Sequence, residues 1–276
     1  MSIFAGRGLS FFGGGRYYGR LVVKRQWPTN PQVSMQATSR SIWWGSAWLA
    51  LILTALPPSL ANVQAIKKRT TVEASDHPEV VVISARNSKT KETSRYSGVL
   101  IAPHAVLTAA HGVEGFDAWE VVAPYVRHGT GRATAKLARA HPQFKLNKPD
   151  HDLAVLILNH GIDIGRNCPT LHDGDLYPIE TRLIVVGRVD NGNVSSTQLY
   201  KAQTTVVPFP GNTNVYGGHP QVVEEGDSGG PVFLANKERE IVGVVSGYLG
   251  LTRSNVRTDV YIPITSKNRP WILRQL

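Results

Sequence analysis

The 276 residues are 42% hydrophobic with 26 glycines and 17 prolines, enough apolar material for one large core or two small ones, which excludes a chain that stays disordered. The net charge of +10 would suit a nucleic-acid binder, but six basic residues (Arg7, Arg16, Arg20, Lys24, Arg25, Arg40) and no acid stand in residues 1–65; the 24 basic and 20 acidic residues from 66 onward leave only +4. With Cys168 as the single cysteine, no intrachain disulfide can form and the fold must be held by its core.

Residues 35–65 carry Arg40, an apolar run from Ile42 to Leu56, Pro57-Pro58, and small residues ending in Val63-Gln64-Ala65. A basic start, an apolar middle and small residues at a cleavage site make a secretory signal peptide. The apolar run of 15 residues is shorter than the ~20 a membrane span needs; an uncleaved signal anchor is the rival reading. Met35 stands where a signal peptide would begin, so residues 1–34 read as an over-extended start or a disordered leader. The rival, a Gly/Arg/aromatic tail that binds single-stranded nucleic acid, is weaker because export would remove it with the signal.

From residue 66 the chain reads as short strands between turn residues. A first group is 79–84 (EVVVIS), 97–103 (SGVLIAP), 105–110 (AVLTAA) and 152–158 (DLAVLIL). A second is 182–187 (RLIVVG), 197–207 (TQLYKAQTTVV), 230–235 (GPVFLA), 240–247 (EIVGVVSG) and 259–264 (DVYIPI). Each is rich in Val, Ile and Leu and bounded by Gly, Pro, Asn or Asp. Only the last dozen residues suggest a helix, with Asn268 as its cap. The expectation is an all-β fold: two barrel-like groups, about 66–170 and 171–264, joined near CPTLHDGDLYPIE and followed by a short C-terminal helix.

A serine that attacks a carbonyl needs a base, a group that orients the base, and donors for the oxyanion. VLTAAHG supplies His111, DHDLAVLIL supplies Asp152, and GDSGGP supplies Ser228. Asp152 follows His111 by 41 residues and Ser228 follows Asp152 by 76, in the order His, Asp, Ser.

These three segments resemble those of trypsin-like (chymotrypsin-family) serine peptidases of a bacterial, secreted type, over roughly residues 66–276. The resemblance implies two six-stranded antiparallel β-barrels and hydrolysis through an acyl-enzyme. Ser228 is then the nucleophile, His111 the general base and Asp152 the residue that holds the imidazole. The N–H groups of Gly226 and Ser228 form the oxyanion hole, and Gly229 and Gly230 let the chain leave without crowding the scissile bond. Asp227 corresponds to an aspartate that pairs with a free α-amino group. Counting twelve residues back from Pro78 places that group at Ile66, directly after the signal site. IKKR replaces the usual isoleucine, valine and two glycines, so cleavage after Arg69 to expose Thr70 is the alternative. Many relatives carry a cysteine where Gly112 stands.

Ser246 corresponds to a serine near the catalytic aspartate, and the backbone of Ser246, Gly247 and Tyr248 to a strand that pairs with substrate. The primary pocket floor corresponds to Val222, so the trypsin-type aspartate is absent there. Asp259 stands at a pocket-wall position, where its carboxylate either pairs with Lys or Arg of the substrate or turns outward and leaves an apolar pocket.

The nine histidines form no HExxH or similar ligand set, so neither a metal nor a cofactor is expected. Surface positions are expected for His77 and His141, and His151 is expected on a strand, facing away from Asp152. Cys168 reads as a plain loop cysteine. The partner is a protein or peptide substrate, with no nucleic acid, no stable membrane association after signal cleavage, a monomeric state, and a secreted or periplasmic location. The rivals are a non-catalytic homologue acting as a binding protein and a serine esterase.

Overall fold

The computed structural model describes residues 69–146, 148–190, 193–195, 197–209, 215–250 and 257–276. The leader, the signal segment and Ile66 lie outside the described residues. Among those described, no helix is long and apolar enough to cross a membrane.

A short strand β1 (Thr70–Glu73) precedes six strands that close on themselves: β2 (Val80–Arg86), β3 (Thr93–Ala102), β4 (Ala105–Thr108), β5 (Ala118–Val122), β6 (Arg132–Ala140) and β7 (Ala154–Leu158). Their order around the first barrel is β2-β3-β4-β7-β6-β5, all antiparallel. The later strands are β8 (Thr170–Leu171), β9 (Arg182–Gly187), β10 (Val189–Asp190), β11 (Asn193–Val194), β12 (Gln198–Pro208), β13 (Tyr216–His219), β14 (Pro231–Leu234), β15 (Lys237–Gly250) and β16 (Arg257–Pro263). Six of them form the ring β12-β13-β16-β15-β14-β9, which the β9–β12 pairing closes into a second six-stranded barrel. Strand β1 pairs with β12, and the two-residue β8 runs parallel to β15. One helix, α1 (Arg269–Leu273), ends the chain.

The unbroken apolar runs follow from burial on both faces. Along β7, Ala154, Leu156 and Leu158 fill the first barrel, while Leu153 and Val155 point with Val80, Val99 and Leu107 into a shared core with Ile184, Val186, Phe233, Val244 and Ile262 of the second barrel. The second barrel's interior holds Leu183, Val185, Val206, Val232, Val242 and Tyr261. The period-2 alternation of strands therefore sorts one residue into a barrel and the next into the seam between barrels.

The seam also buries charge. Glu79 is fully buried and pairs with Arg166 at 3.0 Å, Arg239 at 3.2 Å and His77 at 3.3 Å. Burial pushes its carboxyl up, but the His77 hydrogen bond and Arg166 together hold it below the usual range.

Three histidines depart from expectation. His77 is buried and stacks on Phe233, and His141 is buried against Trp271; His77 stands three residues before β2 and His141 directly after β6, so the adjoining strands draw both inward. His151 precedes β7 with φ 58° and stacks on His141 at 4.6 Å; burial, then the charge of His151, lowers His141 to about 4. Asn268 does stand at the N-terminus of α1, but its side chain does not cap the helix. It accepts the Thr265 N–H and donates to the Pro263 carbonyl.

Candidate active site

His111 lies in a single 3-10 turn, Ala110–Gly112, just beyond β4, and Asp152 lies two residues ahead of β7. Strands β4 and β7 pair with Thr108 opposite Ala154, so the two side chains emerge at the same end of one ladder. The His111 N–H donates to Asp152 Oδ1 at 2.8 Å, and His111 Nδ1 meets Asp152 Oδ2 at 2.7 Å. Ser246, in β15 of the second barrel, donates its hydroxyl to Asp152 Oδ2 at 2.6 Å. Burial alone would raise the Asp152 carboxyl; the charge and hydrogen bonds of His111 and the Ser246 hydroxyl outweigh it and hold the group below the usual range.

Gly112 closes this turn beneath the ring of Tyr96: a Cβ there would stand 2.8 Å from the ring atoms.

Ser228 lies in the turn that leads into β14. Gly226 has φ 101° and Gly229 φ 82°, a backbone region that residues with a Cβ rarely adopt. A Cβ on Gly229 would fall 2.0 Å from Thr108 Oγ1 and 3.1 Å from the Ala109 nitrogen. The serine turn is therefore packed directly against the segment that carries His111. Among the described residues no hydrogen bond joins the Ser228 hydroxyl to the imidazole. The N–H groups of Asp227, Gly229 and Gly230 donate to the carbonyls of Glu224, Val245 and Asp227. Among the described residues those of Gly226 and Ser228 find no acceptor.

Asp227 is buried, with its carboxylate against Gly187 at the end of β9. Its Oδ2 accepts the Glu224 N–H at 2.9 Å, and its Oδ1 meets Arg69 Nη2 at 3.0 Å. A Cβ on Gly187 would stand 1.8 Å from Asp227 Oδ1, so glycine there makes room for the carboxylate. Strand β1, zipped to β12 through Thr70 opposite Lys201, delivers Arg69, whose guanidinium also lies over the Tyr200 ring at 4.7 Å. The sequence reading missed this contact of Arg69; its one trace was the basic IKKR in place of hinge glycines.

Asp259 does not turn outward. It is fully buried and accepts hydrogen bonds from the N–H of Val222 at 2.8 Å, the Tyr261 hydroxyl at 2.8 Å and the N–H of Val223 at 3.3 Å. Burial pushes its carboxyl up to about 7, against the lowering effect of those donors. Val222 is buried beside it. Gly247 and Tyr248 continue β15 beyond a bulge after Val245, and a Cβ on Gly247 would meet nothing within 4 Å.

Cys168 lines a cavity of about 540 Å³ with Pro103, Ile162 and Arg166 on the side of the first barrel. Burial, then Glu79, pushes its thiol up to about 11, which makes it a poor nucleophile. Among the described residues no group of three His, Cys, Asp or Glu side chains could hold a metal ion.

A family model described as Trypsin matches residues 66–272. The chain belongs to the trypsin family. Solved structures with the same fold include HL collagenase, with TM-score 0.60 and 19% identity over 74% of this chain and 95% of that one. GrC aligns with TM-score 0.61 and 19% identity over 75% and 97%. The scabies mite inactivated protease paralogue S-I1 aligns with TM-score 0.60 and 18% identity over 74% and 96%. Structures of this fold thus include a collagenase and an inactivated protease paralogue, and the residues of this chain have to carry the distinction.

Proposed function

We propose that the protein is a secreted serine endopeptidase that hydrolyses peptide bonds through an acyl-enzyme. The observation that carries the reading is Asp152 Oδ2, a buried carboxylate oxygen bonded at once to His111 Nδ1 and the Ser246 hydroxyl. A buried carboxylate in that arrangement fixes one imidazole tautomer and leaves Nε2 to act as a base. Ser228 Oγ attacks the substrate carbonyl as His111 Nε2 takes its proton; the N–H groups of Gly226 and Ser228 stabilise the oxyanion. The C–N bond breaks as His111 returns the proton to the leaving amine. Water, deprotonated by the same imidazole, then attacks the ester and releases Ser228. The chemistry needs no cofactor.

An extended substrate adds as a strand beside Ser246, Gly247 and Tyr248. The residue before the scissile bond enters a pocket floored by Val222, with Asp259 behind it as a carboxylate that can attract Lys or Arg. The signal segment exports the enzyme, and Asp227 is set by a cation from the amino-terminal segment, either the α-amino group of Ile66 or the Arg69 side chain.

An active-site-directed fluorophosphonate and a peptide library test this. The purified secreted form should be labelled at Ser228 and should cleave peptides, and Ser228→Ala should lower kcat by on the order of 10⁶. A wild-type protein that neither reacts nor cleaves would be a binding homologue, and one that cleaves only esters would be an esterase.

A further inference from the structure

Ser97 in β3 is fully buried, yet it binds both residues proposed for the oxyanion hole. Its N–H donates to the Ser228 carbonyl at 2.9 Å. Its hydroxyl donates to the Gly226 carbonyl at 2.9 Å and accepts the Arg188 N–H at 3.0 Å. Its own carbonyl accepts the Thr108 hydroxyl at 2.9 Å, three residues ahead of His111.

A serine hydroxyl has one proton, and here the Arg188 N–H occupies the acceptor side, which turns that proton toward Gly226. Gly226 sits at φ 101°, and glycine does not select one backbone conformation by itself. A bond to its carbonyl does select one. The Gly226 carbonyl lies in the peptide plane that follows the Gly226 N–H, and the Ser228 carbonyl in the plane that follows the Ser228 N–H, so holding both restrains the plane next to each donor. Gly229 and Gly230 complete the fit: a Cβ on Gly229 would stand 2.2 Å from the Ser97 carbonyl oxygen, and one on Gly230 would stand 3.5 Å from Ser97 Cβ.

We propose that Ser97 is a positioning residue for the oxyanion hole, its hydroxyl anchoring the Gly226 carbonyl and its N–H the Ser228 carbonyl, so that the first barrel sets the aim of donors carried by the second. The role rests on the peptidase reading above. It also links the two halves of the site, because Thr108 ties Ser97 to the strand that carries His111.

The test compares wild type with Ser97→Ala on the best library peptide, with active sites titrated by the fluorophosphonate so that rates refer to reactive molecules. Removing one oxyanion donor outright costs about 10²–10³ in kcat, so loosening two should cost about 10- to 100-fold, with KM within about twofold. A peptide aldehyde, whose adduct oxygen occupies the oxyanion hole, should bind more weakly by a similar factor. Should Ser97→Ala fail to fold, Ser97→Cys keeps the shape but donates weakly, and its kcat should fall in the same sense. Unchanged kcat and aldehyde affinity in titrated variants, or a loss confined to KM, overturns the role while leaving the peptidase intact. A wild type inert to probe and peptides sinks the peptidase reading itself, and this role with it.

Discussion

Ser246 and His111 share one oxygen of Asp152: the hydroxyl of Ser246 lies 2.6 Å and the ring nitrogen of His111 2.7 Å from Oδ2. The first barrel supplies the imidazole and the second supplies the hydroxyl, so a charge buried in the seam is satisfied from both sides. Ser246→Ala removes one hydrogen bond to a buried carboxylate, a loss of about 1.5–3 kcal/mol. Peptide kcat/KM should fall about tenfold or more. Because Asp152 is held below its ordinary pKa, the stability it contributes is present above the unfolded value and lost as pH falls through the folded one. The stability gap between wild type and Ser246→Ala, followed by urea unfolding, should therefore narrow as the buffer is taken below pH ~4.

Arg69 offers Asp227 a cation from within the chain. Cleavage after Arg69 would take that guanidinium away, whereas a start at Ile66 keeps it. Amino-terminal sequencing of the active secreted form should find Arg69 retained. Arg69→Ala takes one cation from a buried carboxylate and should lower kcat/KM by about tenfold or more through the oxyanion hole beside it, with Arg69→Lys less impaired. Activity of Arg69→Ala equal to wild type would count against the contact.

Glu79 is the charged centre of the seam, fully buried and contacted by two arginines and His77. Glu79→Gln leaves Arg166 and Arg239 without their shared carboxylate, and breaking a buried ion pair costs about 3–5 kcal/mol. The two arginines are partly exposed, so water recovers some of this and the low end is expected. Urea unfolding at pH 7 should show it. With the folded pKa depressed, the wild-type advantage should persist above the unfolded carboxylate pKa and disappear as pH falls through the folded value.

Asp259 has the opposite sign. Its folded pKa is raised to about 7 by burial, so between the unfolded value near 3.9 and about 7 the folded state binds the extra proton. Stability should therefore fall with rising pH across that window because of this group. Asp259→Asn should remove that slope, read as the difference in unfolding free energy between the two proteins at pH 5 and pH 8. The same ionisation should raise the preference for Lys or Arg before the scissile bond in a library run at pH 8 relative to pH 6, and Asp259→Asn should abolish the change.

Much of this was legible in the chain. The Val-, Ile- and Leu-rich runs gave β9 its observed bounds and placed most longer strands within a few residues, because strands buried on two faces leave a continuous apolar signature. Strands β5, β6 and β13 were not picked out; β5 (AWEVV) is interrupted by Glu120. β6 (RATAKLARA) is built from small and charged residues with a half-exposed face. β13 (YGGH) holds as a strand because its glycines admit close neighbours: a Cβ on Gly218 would stand 2.5 Å from the Tyr261 ring. His77 and His141 were misread because aromatic burial depends on neighbours distant in the chain, and His151 because it stands at φ 58° ahead of β7 instead of on a strand.

By itself the sequence determined the fold class and the order His111, Asp152, Ser228, since each of these is a local pattern of residue type and spacing. The tertiary structure alone decided the rest: that Ser97 holds both ends of the serine turn, that Arg69 reaches Asp227, and that Asp259 faces inward onto Val222. Each is a contact between residues 37 to 158 apart. Which atoms meet at such distances is set by strand register and by the closing of two barrels against each other, and neither leaves a mark in any short stretch of chain.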